Sequence, residues 1–261
     1  PEPADQDGRQ WTQRAMNGLP TFADLPTPLL DELAGICVRR SFLRDAKLAD
    51  ESDHLDYVGF ITAGILRMTR VQPGHEDQVV GLLAEGDMFG RIFNGPLHFA
   101  IEAASDAEVC VFPRAPFEEL AGRWPELERM VILNILNELD AARERMLLLN
   151  RHRVSERLAG FLLLLCRRWP ELSRVAPLPG GGLHLTVPVE RRDLARFLAT
   201  RRDSLSRAFH QLADDGLIRL KGPLELDLLD PQGLSDLSGG TGTVGPELAN
   251  PAASAARGTG S

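Results

Sequence analysis

The spacing of hydrophobic residues changes several times along the chain, and each change marks a predicted element. After a polar lead, the stretch FADLPTPLLDELAGICVRRSF places its leucines on one side of a short helix. From there to about residue 113, β-rich runs such as DYVGFITAGILRMTRV are separated by turn signals such as Gly86-Asp87. This part of the chain predicts a small antiparallel β-sandwich or barrel in which no helix of useful length fits.

Residues 125–150 have the period of a helix that begins with a proline. Apolar side chains recur there in steps of three and four, as in the a/d seam of a coiled coil. The seam consists of Ile132, Ile135, Leu139, Ala142, Met146 and Leu149. A helix that packs on its own barrel would show the same pattern, and we favour a seam that joins two copies of the chain.

Two short helices are expected after a leucine-rich helix at about 153–168. The first spans about 189–199. The second is expected to begin at Arg201, because Thr200 and Asp203 form a T-x-x-D variant of the capping box. The runs LIRLKG and LELDLL that follow predict a hairpin. Two helices joined by a very short turn and followed by a hairpin match a winged helix-turn-helix.

The predicted fold class is α+β, with an N-terminal antiparallel β-barrel, a long dimerisation helix and a C-terminal winged helix-turn-helix. We assign residues 1–20 to a flexible lead, 21–124 to the barrel, 125–150 to the dimerisation helix and 151–236 to the winged unit. Residues 237–261 are rich in Gly, Ser, Ala and Pro and are expected to form a disordered tail.

Charge is distributed unevenly along the chain, which carries 29 basic and 37 acidic residues and a net charge of −8. Residues 1–150 hold 14 basic and 25 acidic side chains, whereas residues 151–221 hold 14 and 7. The second segment therefore has a net charge of +7. A polyanionic partner and a merely solvated surface are both consistent with this asymmetry.

The second helix of the winged unit divides into two faces. Leu205, Phe209 and Leu212 are expected to pack inward. The residues expected to contact DNA are Arg201, Arg202, Asp203, Ser206, Arg207 and His210. A second helix that exposes arginines near its N-terminus is typical of one that enters the major groove of DNA.

The chemistry of base recognition gives two of these residues specific roles. An arginine donates two hydrogen bonds to O6 and N7 of guanine, and a carboxylate accepts one from N4 of cytosine. Asp203 and Arg207 can therefore read bases and fix each other's position. The alternative is that Asp203 only caps the helix and pairs with Arg207 at i,i+4, while Ser206 and His210 are solvated.

Other classes of protein are not indicated. The cysteines Cys37, Cys110 and Cys166 lie far apart and include no Cys-x-x-Cys, so buried free thiols are expected. No apolar run approaches the ~20 residues that cross a bilayer, and no export signal is visible, so we expect a soluble cytoplasmic protein without a membrane partner. No nucleophile–base spacing, metal triad or phosphate-cradling loop points to an enzyme.

The order of these parts resembles the Crp/Fnr family of bacterial transcription regulators over roughly residues 20–235. The resemblance rests on AGILRMTR and GLLAEGDMFG, on ELDAARERMLLLNRHRVSERLAGFL, and on LTVPVERRDLARFLATRRDSLSRAFHQLADDGLI. The chain is most similar to the Fnr and FixK branch, whose recognition helix has the form E-x-x-S-R. Asp203, Ser206 and Arg207 occupy those positions, and Asp203 is one methylene shorter than the family's glutamate.

The resemblance implies a fold and a set of partners. The barrel would be a cyclic-nucleotide-binding-like jelly roll. The protein would bind double-stranded DNA as a homodimer on an inverted-repeat operator, with half-sites about one helical turn, ~34 Å, apart. RNA polymerase is the further partner that the resemblance implies.

The resemblance also indicates where an effector would bind. Family members that bind cyclic nucleotides hold them with a glutamate and an arginine, and Arg91 and Leu97-His98 stand in those places, so cyclic AMP is not expected. The oxygen-sensing branch holds its [4Fe-4S] cluster with four thiolates, of which only Cys110 has a match, so this cluster is not expected either. Haem is left open by three histidines of the barrel, His54, His75 and His98.

We therefore expect a homodimeric, sequence-specific transcription regulator, an activator of genes of oxygen, redox or energy metabolism by resemblance only. No cofactor is predicted. The alternative is a small-molecule sensor, holding haem or responding to a gas, whose basic helices engage a protein partner. DNA binding that falls steeply with salt and keeps an operator preference would distinguish the first hypothesis from the second.

Overall fold

The computed structural model of the protein describes residues 11–12, 14–71, 77–93, 95–179 and 181–240. The chain packs into two compact units, and the boundary between them falls between Ala142 and Arg143. This boundary lies inside a long helix and precedes residue 151, where the winged unit was expected to begin.

The described part of the first unit contains an antiparallel β-barrel, as predicted. Its strands are β1 (Val38–Phe42), β2 (Lys47–Ala49), β3 (Tyr57–Ala63), β4 (Leu66–Arg70), β5 (Gln78–Leu83), β6 (Met88–Gly90), β7 (Ala100–Ala103) and β8 (Ala107–Pro113). They form two four-stranded sheets with the strand orders β1-β8-β3-β6 and β2-β7-β4-β5.

Alternation along β8 shows how the barrel divides its apolar side chains between two cores. Val109 and Val111 point between the two sheets, where they pack with residues such as Ile61 and Ile101. Cys110 points to the opposite side and contributes to a second core outside the barrel. The central strands β3 and β8 of this sheet are therefore buried on both faces, whereas β1 at its edge is largely exposed.

Helices cover the outer face of this sheet. They are a 3₁₀ turn (Pro20–Phe22), α1 (Thr27–Ile36), α2 (Arg114–Arg123) and the first part of α3 (Pro125–Leu149). The helix predicted over 125–150 is confirmed, whereas α2 was not predicted because only Phe117 and Leu120 anchor it in the core.

The prediction of a flexible lead over residues 1–20 is wrong for its described part. Residues 14–18 are helical, and Met16 and Leu19 are 0% and 2% exposed. These two side chains pack into the outer core beside Phe22, which is why the segment is ordered despite its polar composition.

The second unit contains the winged helix-turn-helix. Its elements are α4 (Val154–Arg168), β9 (Ala176–Pro177), β10 (Leu183–Thr186), α5 (Arg191–Phe197), α6 (Arg202–Asp214), β11 (Ile218–Leu220), β12 (Glu225–Leu228) and α7 (Pro231–Leu237). The strands form one antiparallel sheet in the order β11-β12-β10-β9. The hairpin β11–β12 is the predicted wing.

Helix α7 corrects the predicted start of the tail. The side chain of Asp230 accepts a hydrogen bond of 2.8 Å from the amide of Gly233, which caps α7 at its N-terminus. Ser238, just beyond the helix, is 0% exposed. The expected tail of residues 237–261 is therefore structured up to residue 240, and its remainder lies outside the described residues.

Across the described ranges, no helix combines the length with the apolar character that a bilayer crossing would need.

Candidate nucleic-acid interface

The second helix of the helix-turn-helix, α6, has one buried and one exposed face, as predicted. Leu205, Ala208, Phe209 and Leu212 are buried. The side chains proposed for DNA are all exposed, namely Arg201, Arg202, Asp203, Ser206, Arg207 and His210. Gly216 has a φ of +73°, so the helix ends in the left-handed conformation that glycine adopts without strain.

The N-terminus of α6 differs from the prediction. Its N-cap is Arg201, which makes no side-chain capping bond, and the helix begins at Arg202. The amide of Thr200 donates a 2.9 Å hydrogen bond to the carbonyl of Ala195, so Thr200 still belongs to the end of α5. The proposed capping box of Thr200 and Asp203 is therefore wrong.

The turn between α5 and α6 is held by arginines from the rest of the second unit. Arg157 of α4 donates from Nη1 to the carbonyls of Leu198 and Ala199, at 2.7 and 3.2 Å. Arg145 of α3 donates to the carbonyl of Phe197 at 3.1 Å, and its guanidinium lies 5.0 Å from the centre of the Phe197 ring. Cations at these carbonyls stabilise the C-terminus of α5 and fix the angle at which α6 leaves it.

The sequence marks neither of these two arginines as a support of the turn. Burial lowers the pKa of Arg145, which shows that this guanidinium has lost part of its hydration. Neither Arg145 nor Arg157 was predicted to support the turn, because their positions on α3 and α4 carry no local signal for it.

Arg207 is oriented by a residue other than the one expected. Its Nη2 donates a 3.2 Å hydrogen bond to Oγ of Ser204. Among the described residues no ion pair or hydrogen bond joins Asp203 to Arg207, so the expected i,i+4 pair is not present. Asp203 is therefore exposed at the first turn of α6, where a carboxylate also interacts favourably with the helix dipole.

Arg191 was not predicted as part of this surface. It is the first residue of α5, and its guanidinium lies 3.2 Å from the centre of the Phe209 ring while Nε donates to the carbonyl of Pro223 at 2.8 Å. Burial lowers the pKa of Arg191 to about 10. It thus joins α5, α6 and the wing at one point. The signal in the sequence is an arginine at a helix N-terminus, where the dipole disfavours a cation.

A cleft of about 430 Å³ lies between α6 and the wing. Its lining comprises Arg191, Arg202, Asp203, Ser206, Phe209, His210, Leu220 and Pro223. Four of the predicted contact residues thus line one concave surface together with Arg191.

The wing carries two further cations around a buried carboxylate. Asp227 is 2% exposed, and its carboxylate accepts a 2.9 Å hydrogen bond from Nδ1 of His184. The same carboxylate forms ion pairs with Nζ of Lys221 at 3.4 Å and with Nη1 of Arg219 at 3.9 Å. Burial acts to raise the pKa of Asp227, but the hydrogen bond to His184 and the charge of Lys221 outweigh it and hold the pKa below its ordinary value. Arg219 and Lys221 are exposed on the outer side.

Helix α3 presents a broad apolar surface. Leu127, Met130 and Val131 are buried against the first unit. On the other side, exposures between 44% and 71% are found for Ile132, Leu133, Ile135, Leu136, Leu139, Met146 and Leu147. Of the predicted seam, Ala142 is also exposed and Leu149 is partly buried. The exposed set is wider than the predicted one, because Leu133, Leu136 and Leu147 belong to it.

The residues considered for an effector are found in different surroundings. Nη1 of Arg91 donates to the carbonyl of Pro96 at 3.0 Å and lies 2.9 Å from Nε2 of His98. Leu97 is 7% exposed and fills the interior of the barrel. His54 is exposed, and His75 lies outside the described residues.

The cysteines correct one expectation. Cys110 and Cys166 are buried, as expected for all three, but Cys37 is partly exposed. Cys37 also contacts Cys110, although the two are far apart in the sequence. The described residues contain no group of three or more His, Cys, Asp or Glu side chains that could hold a metal ion.

Comparisons with known proteins match both units. Residues 39–123 match the cyclic nucleotide-binding domain family, and residues 156–237 match the Crp-like helix-turn-helix domain family. The transcriptional activator protein FnrL of Cereibacter sphaeroides is 31% identical over 73% of this chain and 76% of its own length. The nitrogen fixation regulation protein FixK of Bradyrhizobium diazoefficiens is 32% identical over 66% and 69%.

Solved structures agree with these matches. The structure of FixK2 from Bradyrhizobium japonicum covers 77% of this chain and 97% of its own, with 28% identity and a TM-score of 0.66. A CooA variant from Carboxydothermus hydrogenoformans covers 82% and 91%, with a TM-score of 0.67, and at 17% identity it supports the fold alone. With its helix-turn-helix, its barrel and its similarity to FnrL and FixK, the chain belongs to the Crp/Fnr family of transcription regulators.

Proposed function

We propose that the protein binds an inverted-repeat operator as a homodimer, with the exposed face of α6 in the major groove. The observation that carries this proposal is the division of α6 into a buried apolar face and an exposed polar face with arginines near its N-terminus. The net charge of +7 on residues 151–221 provides attraction to phosphates that does not depend on base sequence.

Residue roles follow from donor and acceptor chemistry. Arg207 and Arg202 donate to O6 and N7 of guanine, and Asp203 accepts from N4 of cytosine. Arg201 contacts phosphate at the N-terminus of α6, while Ser206 and His210 make weaker contacts at the same groove. Since Arg207 is held by Ser204 rather than by Asp203, Arg207 and Asp203 act independently as base readers.

Self-association is proposed from α3. A helix that buries Leu127 and Met130 on one side and leaves Ile135 and Leu139 half exposed on the other has a second apolar surface to cover. A second copy of the same surface covers it by two-fold symmetry, and a two-fold dimer places two recognition helices on two half-sites.

For the regulated genes, similarity to FnrL and FixK supports oxygen, redox or energy metabolism, with activation through RNA polymerase.

We further propose that cyclic AMP is not the effector. Arg91 stands in the place of the carboxylate that would hold the ribose, and it is bonded to Pro96 and His98. Leu97 and His98 stand in the place of the arginine that would hold the phosphate, and Leu97 fills the interior of the barrel. His98 is also engaged by Arg91, which disfavours it as a haem ligand.

The test compares Arg207→Ala with Arg219→Ala. Each removes one exposed positive charge from the second unit, and only the first removes a proposed base reader. Arg207→Ala should weaken binding to the selected operator by about 1–3 kcal/mol, or roughly 5- to 150-fold, with a much smaller effect on random DNA. Arg219→Ala should weaken both equally and reduce the salt dependence of binding.

Equal losses on operator and random DNA for Arg207→Ala would remove it as a base reader. If the unsubstituted protein shows no operator preference and little salt dependence, the sensor that acts through a protein partner becomes the better hypothesis.

A further inference from the structure

Two cysteines from distant parts of the first unit meet on the outer face of the barrel. Cys37 lies at the junction of α1 and β1, and Cys110 lies in β8 opposite Arg39. The two thiols are hydrogen-bonded to each other. Cys37 precedes Arg39 by two residues, so it is a diagonal neighbour of Cys110 on the same face, and its side chain packs against the outer core that contains Cys110.

The surroundings of the two thiols differ. Cys110 is 1% exposed within the outer core, whereas Cys37 is partly exposed at its edge. Residues of the N-terminal helical segment lie beside the pair. The side chain of Thr12 is hydrogen-bonded to Cys37. The guanidinium of Arg39, the neighbour of Cys110 in the ladder, lies 4.3 Å from the centre of the Trp11 ring. Small solutes therefore reach Cys37 more readily than Cys110.

The pKa values of the two thiols are shifted in opposite directions. The hydrogen bond from Cys110 lowers the pKa of Cys37 by stabilising its thiolate. That same bond and burial raise the pKa of Cys110, which keeps its proton. A partly exposed thiol with a lowered pKa next to a buried thiol with a raised pKa is the arrangement expected of an attacking cysteine and a resolving cysteine.

We propose that Cys37 and Cys110 form a reversible disulfide when the protein meets a hydroperoxide, with Cys37 as the attacking and Cys110 as the resolving residue. Formation of an S–S bond of about 2 Å from a hydrogen-bonded pair requires rotation of the two side chains. The pair thus forms an oxidation site in the barrel, and it is independent of the proposed function in DNA binding.

The reaction balances in two steps. The Cys37 thiolate attacks one oxygen of the hydroperoxide, the O–O bond breaks, and the leaving oxygen takes a proton to become an alcohol, or water if the oxidant is hydrogen peroxide. The sulfur of Cys110 then attacks the sulfenic acid on Cys37, and hydroxide leaves with the thiol proton of Cys110 as water. Overall, two thiols lose two electrons and two protons, and the peroxide is reduced.

Cys166 provides an internal control. It is 0% exposed in the core of the second unit, and burial raises its pKa to about 12. Its thiol is therefore protonated and shielded. It should remain unmodified under conditions in which Cys37 reacts.

The experiment treats the reduced full chain with hydrogen peroxide, denatures it, blocks the remaining thiols with iodoacetamide and maps the peptides by mass spectrometry. The expected result is a Cys37–Cys110 cross-link within one chain, which dithiothreitol reverses, while Cys166 is alkylated. Cys166→Ala should behave like the unsubstituted protein. In Cys110→Ala, Cys37 should stop at the sulfenic acid, which dimedone traps. Circular dichroism checks that each variant is folded.

Cys37→Ser should leave Cys110 reduced and alkylated after denaturation. The proposal is overturned if Cys37 and Cys110 both remain free in the peroxide-treated unsubstituted protein, if the cross-link joins two chains, or if Cys166 reacts as fast as Cys37. The readout on the unsubstituted chain decides the matter even if Cys110→Ala does not fold.

Discussion

Leu139→Ala should weaken self-association of the chain about 30-fold. Leu139 is 44% exposed on the apolar surface of α3. Complete burial of a leucine side chain contributes about 1.5–3 kcal/mol, so covering the exposed part contributes about 1 kcal/mol in each copy. In a two-fold interface both copies lose this contribution, which gives about 2 kcal/mol, or close to 30-fold in the dissociation constant.

Sedimentation equilibrium of the full chain measures this change. Leu43→Ala is the matched control, because Leu43 is 76% exposed but lies outside α3. It should leave the dissociation constant unchanged. Operator binding by Leu139→Ala should then require a higher protein concentration, since the monomer presents only one recognition helix.

A change of less than about threefold in Leu139→Ala would refute the assignment of α3 as the dimer surface, as would an equal effect of Leu43→Ala. Circular dichroism and thermal unfolding show whether either variant has lost its fold, which would remove it from the comparison.

Two other predictions concern the second unit. Ala199 has a φ of +49°, a conformation that costs an L-residue roughly 1–2 kcal/mol. Ala199→Gly removes this cost but adds the conformational entropy of glycine to the unfolded chain. The substitution should therefore raise the free energy of unfolding of the second unit by about 0.5–1 kcal/mol, as measured by chemical denaturation. A loss of stability would show that the left-handed turn is not strained. Asp227 has a lowered pKa, so its stabilisation is present above its ordinary pKa of 3.8 and is lost as the pH falls through the folded value below it. Asp227→Asn should therefore lower the free energy of unfolding by roughly 1.5–3 kcal/mol near neutral pH. The difference from the unsubstituted protein should shrink below about pH 3.8. A difference in unfolding free energy that does not depend on pH would contradict this prediction.

Elements with strong local periodicity were predictable. The long run of apolar residues in steps of three and four identified α3 almost to the residue, and Leu205, Phe209 and Leu212 identified the buried face of α6. Such patterns depend on residues within a few turns of each other, so they can be read without knowledge of the partner surface.

Errors occurred where two local partners were available to the same group. Thr200 is a good capping residue by composition, but the carbonyl of Ala195 takes its amide and moves the cap to Arg201. Asp203 was expected to pair with Arg207, yet Arg207 donates its hydrogen bond to Ser204. In both cases two acceptable local partners competed, and the geometry of the folded chain selected one.

Contacts between distant segments were missed for a related reason. Nothing near Cys37 in the sequence indicates Cys110, and nothing near Met16 indicates that it fills the outer core of the barrel. Arg191 on Phe209 and Arg157 on the turn carbonyls likewise join segments that come together only in the folded chain.

The sequence by itself determined the order of the barrel, the long helix and the winged helix-turn-helix, the polar face of the recognition helix and the basic character of its surroundings. Each of these depends on the spacing or the charge of residues near one another in the chain. Only the tertiary structure decided where the helices begin, which arginines hold the turn, how the wing closes on α6 and which thiols meet. These depend on strand register and on burial, because the free energy of a polar or apolar contact is set by the groups that share its space rather than by those that precede it in the chain.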